Sequence, residues 1–206
     1  AVGASVSRGI WLADGTVQRV CTLPLQGAGG DWGEDGTILF SSGGGGGHLF
    51  TVAATGGEPR PLLVPDAKRG ETGFVLPRLL PGGRRLLFNA LGEGEGVFGA
   101  HGASLDRPAE RRLLGPGLTR FVPAAGHLLF VRNGTLLAQP FDADRAELTG
   151  EPVTIATSVG AWAANAGVGW FAASPRDTLA YFSGQSVTGQ VQLAWVDRKG
   201  GQVGTI

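Results

Sequence analysis

Methionine is absent from this chain, cysteine and tyrosine occur once each, and neither sign of charge predominates. Each shortage excludes something. A single thiol, Cys21, allows no internal disulfide. Beside Val20 in an apolar stretch, it reads as a small core residue rather than a nucleophile. The 17 basic residues are balanced by 17 acidic ones, so no long-range field draws in nucleic acid or an anionic membrane. No run of 18 apolar residues occurs, and no segment reads as a membrane-spanning helix. There is no signal-peptide pattern and no initiator methionine, so a chain opening at Ala1 reads as trimmed, or as a piece of something longer. Helical patterning is nearly missing too. Only residues 142–148 carry any, and they form a short stretch inside a loop.

What the chain has instead is glycine, 37 residues in 206, with 12 prolines. Without a Gly-X-Y period, that many glycines mean tight turns between many short strands. At 42% hydrophobic and 17% charged, the chain is globular rather than disordered.

One stretch sets the pattern for the rest. Residues 30–63 read as a strand ending at Asp31-Trp32, a turn at Glu34-Asp35-Gly36, and a strand Thr37-Ile38-Leu39-Phe40. A glycine run, a strand Leu49-Phe50-Thr51-Val52, a turn Thr55-Gly56-Gly57 and a last strand Pro61-Leu62-Leu63 follow. The same order recurs over 70–114, 119–155 and 168–206, and residues 1–23 read as the last two strands of a unit. Asp14-Gly15 and Asn133-Gly134 supply the positive φ that a hairpin turn needs. Asn133-Gly134-Thr135 also fits a glycosylation acceptor, and the turn is the favoured reading.

The second strands align as Thr37–Phe40, Arg85–Phe88, His127–Phe130 and Thr178–Tyr181, each ending in an aromatic. Those aromatics stand 48, 42 and 51 residues apart (40 to 88, 88 to 130, 130 to 181). That is near the about 40–50-residue period of propeller blades. The strands are continuous apolar runs, as expected of sheets covered on both faces. A sandwich would alternate more and would lack the long period. The expected fold is therefore an all-β propeller of four-stranded antiparallel blades, about four and a half of them. Its ring is left unfinished unless more chain or a partner completes it.

The turn Ser174-Pro175-Arg176-Asp177 resembles the Ser-Pro-Asp-Gly turn of TolB-type, WD-like propeller repeats, and Gly33–Gly36 and Leu80–Gly83 hold the same slot. A closer similarity is to the propeller that follows the kinase domain and membrane helix in bacterial, acidobacterial-type serine/threonine protein kinases. It is carried by Trp32–Phe40, Arg69-Gly70-Glu71-Thr72, Leu80–Arg84, Leu128–Leu136, Ala138–Asp142, Leu148–Val153, Leu179–Tyr181 and Leu193–Gly200. The resemblance covers nearly the whole chain. It implies a non-catalytic, extracytoplasmic sensor or protein-interaction module. The kinase itself is not here, since no Gly-rich loop with its lysine strand, no His-Arg-Asp and no Asp-Phe-Gly occurs. The sequence departs from the family at Gly73-Phe74-Val75-Leu76, where polar and aromatic residues are usual. If those residues face the channel, the tunnel there is more apolar.

The chemistry-bearing residues are few. His48, His101 and His127 fall in different units without metal-ligand spacing, so neither a metal nor a cofactor is expected. Asp31, Asp35 and Asp177 read as turn caps. Gly43–Gly47 lacks the Lys-Ser/Thr of a phosphate loop and reads as a hairpin loop. No Gly-x-Ser-x-Gly elbow occurs. Trp32, Trp162 and Trp170 stand at or near unit starts and read first as packing between blades and second as stacking platforms, and Arg69, Glu71, Arg78 and Arg120 lie in or beside the first strands. The expected ligand-binding set is Trp32, Arg69, Glu71, Arg78, Arg120 and Trp170, with no catalytic residue. The expected partner is a protein, peptide or small ligand at the channel mouth. The alternatives are the propeller of a hydrolase or of a prolyl-oligopeptidase-like peptidase, and a self-assembling fragment.

Overall fold

Extended backbone carries nearly all of the regular structure, and no α-helix occurs among the described residues. The computed structural model describes residues 5–10, 17–23, 27–43, 47–117, 119–162, 165–174, 178–184, 194–196 and 202–205. Strands β1 (Ser5–Ile10) and β2 (Val17–Leu23) pair antiparallel. Then come β3 (Gly27–Trp32), β4 (Thr37–Ser42), β5 (Leu49–Ala53) and β6 (Arg60–Leu63), a four-stranded sheet in chain order. A 3₁₀ turn at Ala67–Arg69 leads into the second such sheet: β7 (Glu71–Leu79), β8 (Arg85–Gly92), β9 (Gly99–Ser104) and β10 (Arg112–Pro116). The third holds β11 (Val122–Ala124), β12 (His127–Arg132), β13 (Thr135–Asp142) and β15 (Val153–Ala156). Strand β14 (Glu147–Leu148) pairs only with the far end of β13. Three hairpins follow: β16 (Ala161–Trp162) with β17 (Asn165–Gly169), β18 (Phe171–Ala173) with β19 (Leu179–Tyr181), and β20 (Ala194–Val196) with β21 (Gln202–Thr205).

Strands β3–β6 and β7–β10 thus form four-stranded antiparallel sheets, and β11–β15 a five-stranded one. The span 168–206 differs. Its expected first strand, 169–173, is interrupted at Trp170, and Gly169 pairs back onto Ala161. The backbone changes partners there: Trp170 N donates to the Gly160 carbonyl at 2.8 Å, while the Trp170 carbonyl accepts from Phe182 N at 3.0 Å, and Phe171 goes on to pair with Tyr181. The turn at 174–178 is closed by Ser174 N donating to Thr178 O at 2.8 Å and Thr178 N donating to Ser174 Oγ at 3.0 Å. Asp177, the turn 13–15 and the link 185–193 lie outside the described residues.

Residues 142–148, the one stretch with helical patterning, form a hairpin instead. Phe141 pairs with Leu148 and Asp142 with Glu147. The hairpin lays Ala146 on Gly102 of β9, where an added Cβ would come within 2.8 Å of the Ala146 oxygen. Only a residue without a side chain admits that approach. At the β12–β13 turn, Asn133 and Gly134 adopt φ of 50° and 72° between the paired Arg132 and Thr135. That is the two-residue hairpin the Asn-Gly pair predicts.

The core is a succession of layers between sheets. Val20 and Cys21 of β2 pack with Phe40 and Val52 of the first sheet. On its other side, Leu39, Leu49 and Leu63 meet Phe74, Leu86 and Phe88 of the second. Leu80, Leu87 and Ala100 then meet Phe121, Leu128 and Phe130 of the third, whose Leu129, Val131 and Leu136 meet Val159 and Phe171. The second strands explain the arrangement. Side chains alternate between faces along a strand. Phe40, Phe88 and Phe130 therefore point to the preceding sheet, and their neighbours Leu39, Leu87 and Leu129 to the following one. The continuous apolar run serves two interfaces at once. Each fully buried Leu or Phe contributes about 1.5–3 kcal/mol. Phe74 is 0% exposed in the first of these large layers, so of the divergent stretch 73–76 its ring is interior packing. Leu76 takes φ of 53° at the bulge between Val75 and Arg78.

Candidate functional site

The first strands of the first two sheets, β3 and β7, run against each other. A side chain fastens them at their far ends: Asp31 Oδ2 accepts from Leu79 N at 2.9 Å, while Oδ1 accepts from Trp32 N at 3.1 Å. Asp31 is therefore not a turn cap, as its sequence position suggests, but a bond between neighbouring sheets. Asp35 is the cap. Its Oδ1 accepts from Thr37 N at 2.9 Å and its Oδ2 from Thr37 Oγ1 at 3.0 Å. The Thr37 backbone and hydroxyl donors hold the Asp35 carboxyl below its ordinary value.

Beyond these ends the turns after β3 and β7 leave a cleft of about 520 Å³ between them. Asp31, Trp32, Glu34 and Asp35 line one side, Arg78 and the Leu80–Gly83 turn the other, and Pro123 of the third sheet comes in beside them. Trp32 is 53% exposed, an unusual amount for a large aromatic. Arg78 is half-buried and has no hydrogen-bond or ion-pair partner among the described residues, nor has Glu34. The volume lies within the range of small-molecule sites. Of the expected ligand-binding residues, Trp32 and Arg78 meet here.

A neighbouring cleft of about 600 Å³ shares Pro81 and Gly82 with it. There Arg107 pairs with Glu110 at 3.4 Å, and Arg85 Nε donates to the Asp144 carbonyl at 2.8 Å. The Trp32 cleft is the better candidate, because it adds a half-exposed indole to an unpaired guanidinium, that of Arg78.

Glu71 and Arg69 are at the opposite end of β7, about 23 Å away for an extended strand. Glu71 is buried, accepts from Asp66 N at 2.9 Å, and is paired with Arg69 at 3.3 Å and with Arg111. The Arg111 side chain is 3% exposed, and its guanidinium lies 5.5 Å from the Phe74 ring centroid. Burial chiefly lowers the Arg111 pKa, and the charge of Arg69 adds to this while Asp66 opposes it. Nearby in the same layer His101 stacks on Phe88 at 5.7 Å, with Nε2 3.0 Å from the Val97 oxygen. Burial lowers the His101 pKa, against the Val97 contact, and Arg69 lowers it further. This cluster ties the 64–70 crossover to the interior of the second sheet.

Arg120 is exposed just before β11, without a hydrogen bond or ion pair among the described residues. Trp170 packs edge-on against Phe182 at 5.4 Å, just before β18. The side chain of Trp162 lies outside the described residues. The six expected residues therefore divide between the two ends of the first strands, with only Trp32 and Arg78 in one cleft. Sequence reasoning missed Arg111. A signal was present: Arg111-Arg112 stands at the start of a strand, and successive side chains on extended backbone point to opposite faces. Arg112 takes the outward place, pairing with Glu147 at 3.0 Å.

Among the described residues no group of three His, Cys, Asp or Glu side chains could hold a metal ion, and no helix is long and apolar enough to cross a membrane. In comparisons with known proteins, no family model matches the chain and no curated protein matches it.

Proposed function

We propose that this chain is a non-catalytic binding propeller, a sensor or interaction module of a larger bacterial protein such as a receptor-like kinase, working outside the cytoplasm. The observation that carries the reading is the stacking: sheet after sheet gives alternate second-strand residues to the neighbour before and the neighbour after. Sheets stacked that way about a common axis make a propeller, with the first strand of each innermost. The ends of β3 and β7 then open beside the axis, and the Trp32 cleft is where a ligand would be held on a rigid frame. The assignment to a kinase sensor rests on the ordered series of sequence similarities and is an analogy of fold.

A photo-crosslinking residue in place of Trp32, in the full-length protein in its own cell envelope, tests this. An adduct at position 32 well above that at the exposed Val153 is the expected result. Equal labelling at both positions, or a crystal structure with only two flat layers, overturns the proposal.

Self-assembly is the second reading. It is favoured by β1 and β2, which form a sheet of only two strands among the described residues. In that reading a second copy completes this sheet. Light scattering showing a monomer at high concentration removes it.

A further inference from the structure

The Trp32 cleft has a sign. Three carboxylates, those of Asp31, Glu34 and Asp35, line it against one guanidinium, that of Arg78. Asp31 and Asp35 are fixed by the backbone donors they accept, so their charges are held in place with no side-chain cation neutralising either. Glu34 is exposed and has no partner among the described residues. The indole of Trp32, 53% exposed, stands among them without an aromatic neighbour among the described residues. A half-exposed indole beside fixed carboxylates is the arrangement that attracts a cation, and Trp is the strongest such ring. Opposite, Arg78 offers donors to a carbonyl, which a polypeptide supplies beside every side chain.

We propose that this cleft takes a polypeptide segment bearing a guanidinium or alkylammonium side chain. The cation lies over Trp32 against Glu34, and Arg78 donates to the segment's backbone. The inference rests on the binding reading above and adds the chemistry of the ligand.

Isothermal titration of the chain with three blocked peptides tests it: Gly-Gly-Arg-Gly-Gly, and the same peptide with Glu or Gln at the centre. The Arg peptide is expected to bind at least about tenfold more tightly than the other two. Trp32→Ala should weaken it about tenfold. Glu34→Gln should weaken it less, and about 1 M salt, where the screening length is about 3 Å, should abolish most of it. Both substitutions are at exposed positions, and an unchanged melting temperature shows that each variant is folded. If the Glu or Gln peptide binds as well in a Trp32-dependent manner, the inference falls while the binding reading stands. Arg-peptide binding indifferent to Trp32→Ala, or no binding of any peptide, also overturns it. Free arginine amide binding as tightly as the peptide overturns the polypeptide source. The crosslinking experiment then decides the wider reading separately.

Discussion

Asn89 and Thr119 hold each other reciprocally. Asn89 Nδ2 donates to the Thr119 carbonyl at 2.9 Å, and Thr119 N donates to Asn89 Oδ1 at 2.9 Å. The side chain, 2% exposed, thereby does for the crossover into the third sheet what a neighbouring strand would do. Asn89→Ala leaves both Thr119 groups unpaired. It should destabilise the chain by about 2–4 kcal/mol in chemical denaturation. A loss within about 0.5 kcal/mol, the range of ordinary surface substitutions, would show that the bond is dispensable.

Glu71 and Arg111 form a nearly buried pair, and removing one partner strands the other. Glu71→Ala should cost about 3–5 kcal/mol. Glu71→Leu combined with Arg111→Met should recover part of that, since no buried charge is then stranded: Arg69 is half-exposed, and only the Asp66 amide loses its acceptor. A double variant as unstable as the single one would contradict this account.

His101 makes stability depend on pH. Its folded pKa lies below the ordinary 6.5, so between the two values the unfolded chain binds more protons. Stability therefore rises with pH in that window, falls as pH drops below about 6.5, and levels off below the folded value. His101→Gln should flatten this part of the profile. An unchanged slope, measured by denaturation at a series of pH values, would assign the dependence to other groups.

Gly102 must stay small. Gly102→Val should force the Ala146 hairpin off β9 and cost about 1–3 kcal/mol. The salt bridge from Arg112 to Glu147 at 3.0 Å spans the same contact and should be lost with it. A melting temperature equal to that of the unsubstituted chain would mean that the hairpin is free to lift.

How much of this could be read beforehand depends on how local the cause was. Asn133-Gly134 announces its turn because positive φ is a property of those two residues. Leu86–Phe88 announces a strand covered on both sides because a continuous apolar run has no solvent face to give. The failures are those of long-range contact. The break at Trp170 is where the chain changes partners, its amide bonding to Gly160 and its carbonyl to Phe182. Asp31 looked like a cap because its partner, the Leu79 amide, is in another sheet. In the site, Trp32 and Arg78 could be proposed singly but not paired, because their meeting depends on how β3 and β7 sit side by side.

The two-sided second strand bears on how such a chain changes length. Deleting a single residue before Phe88 would exchange its partners on both sides together, turning the ring toward the wrong neighbour. Changes of length in the links between the sheets leave both faces of β4, β8 and β12 in phase. Insertions and deletions should therefore be tolerated between the sheets and rejected within their second strands.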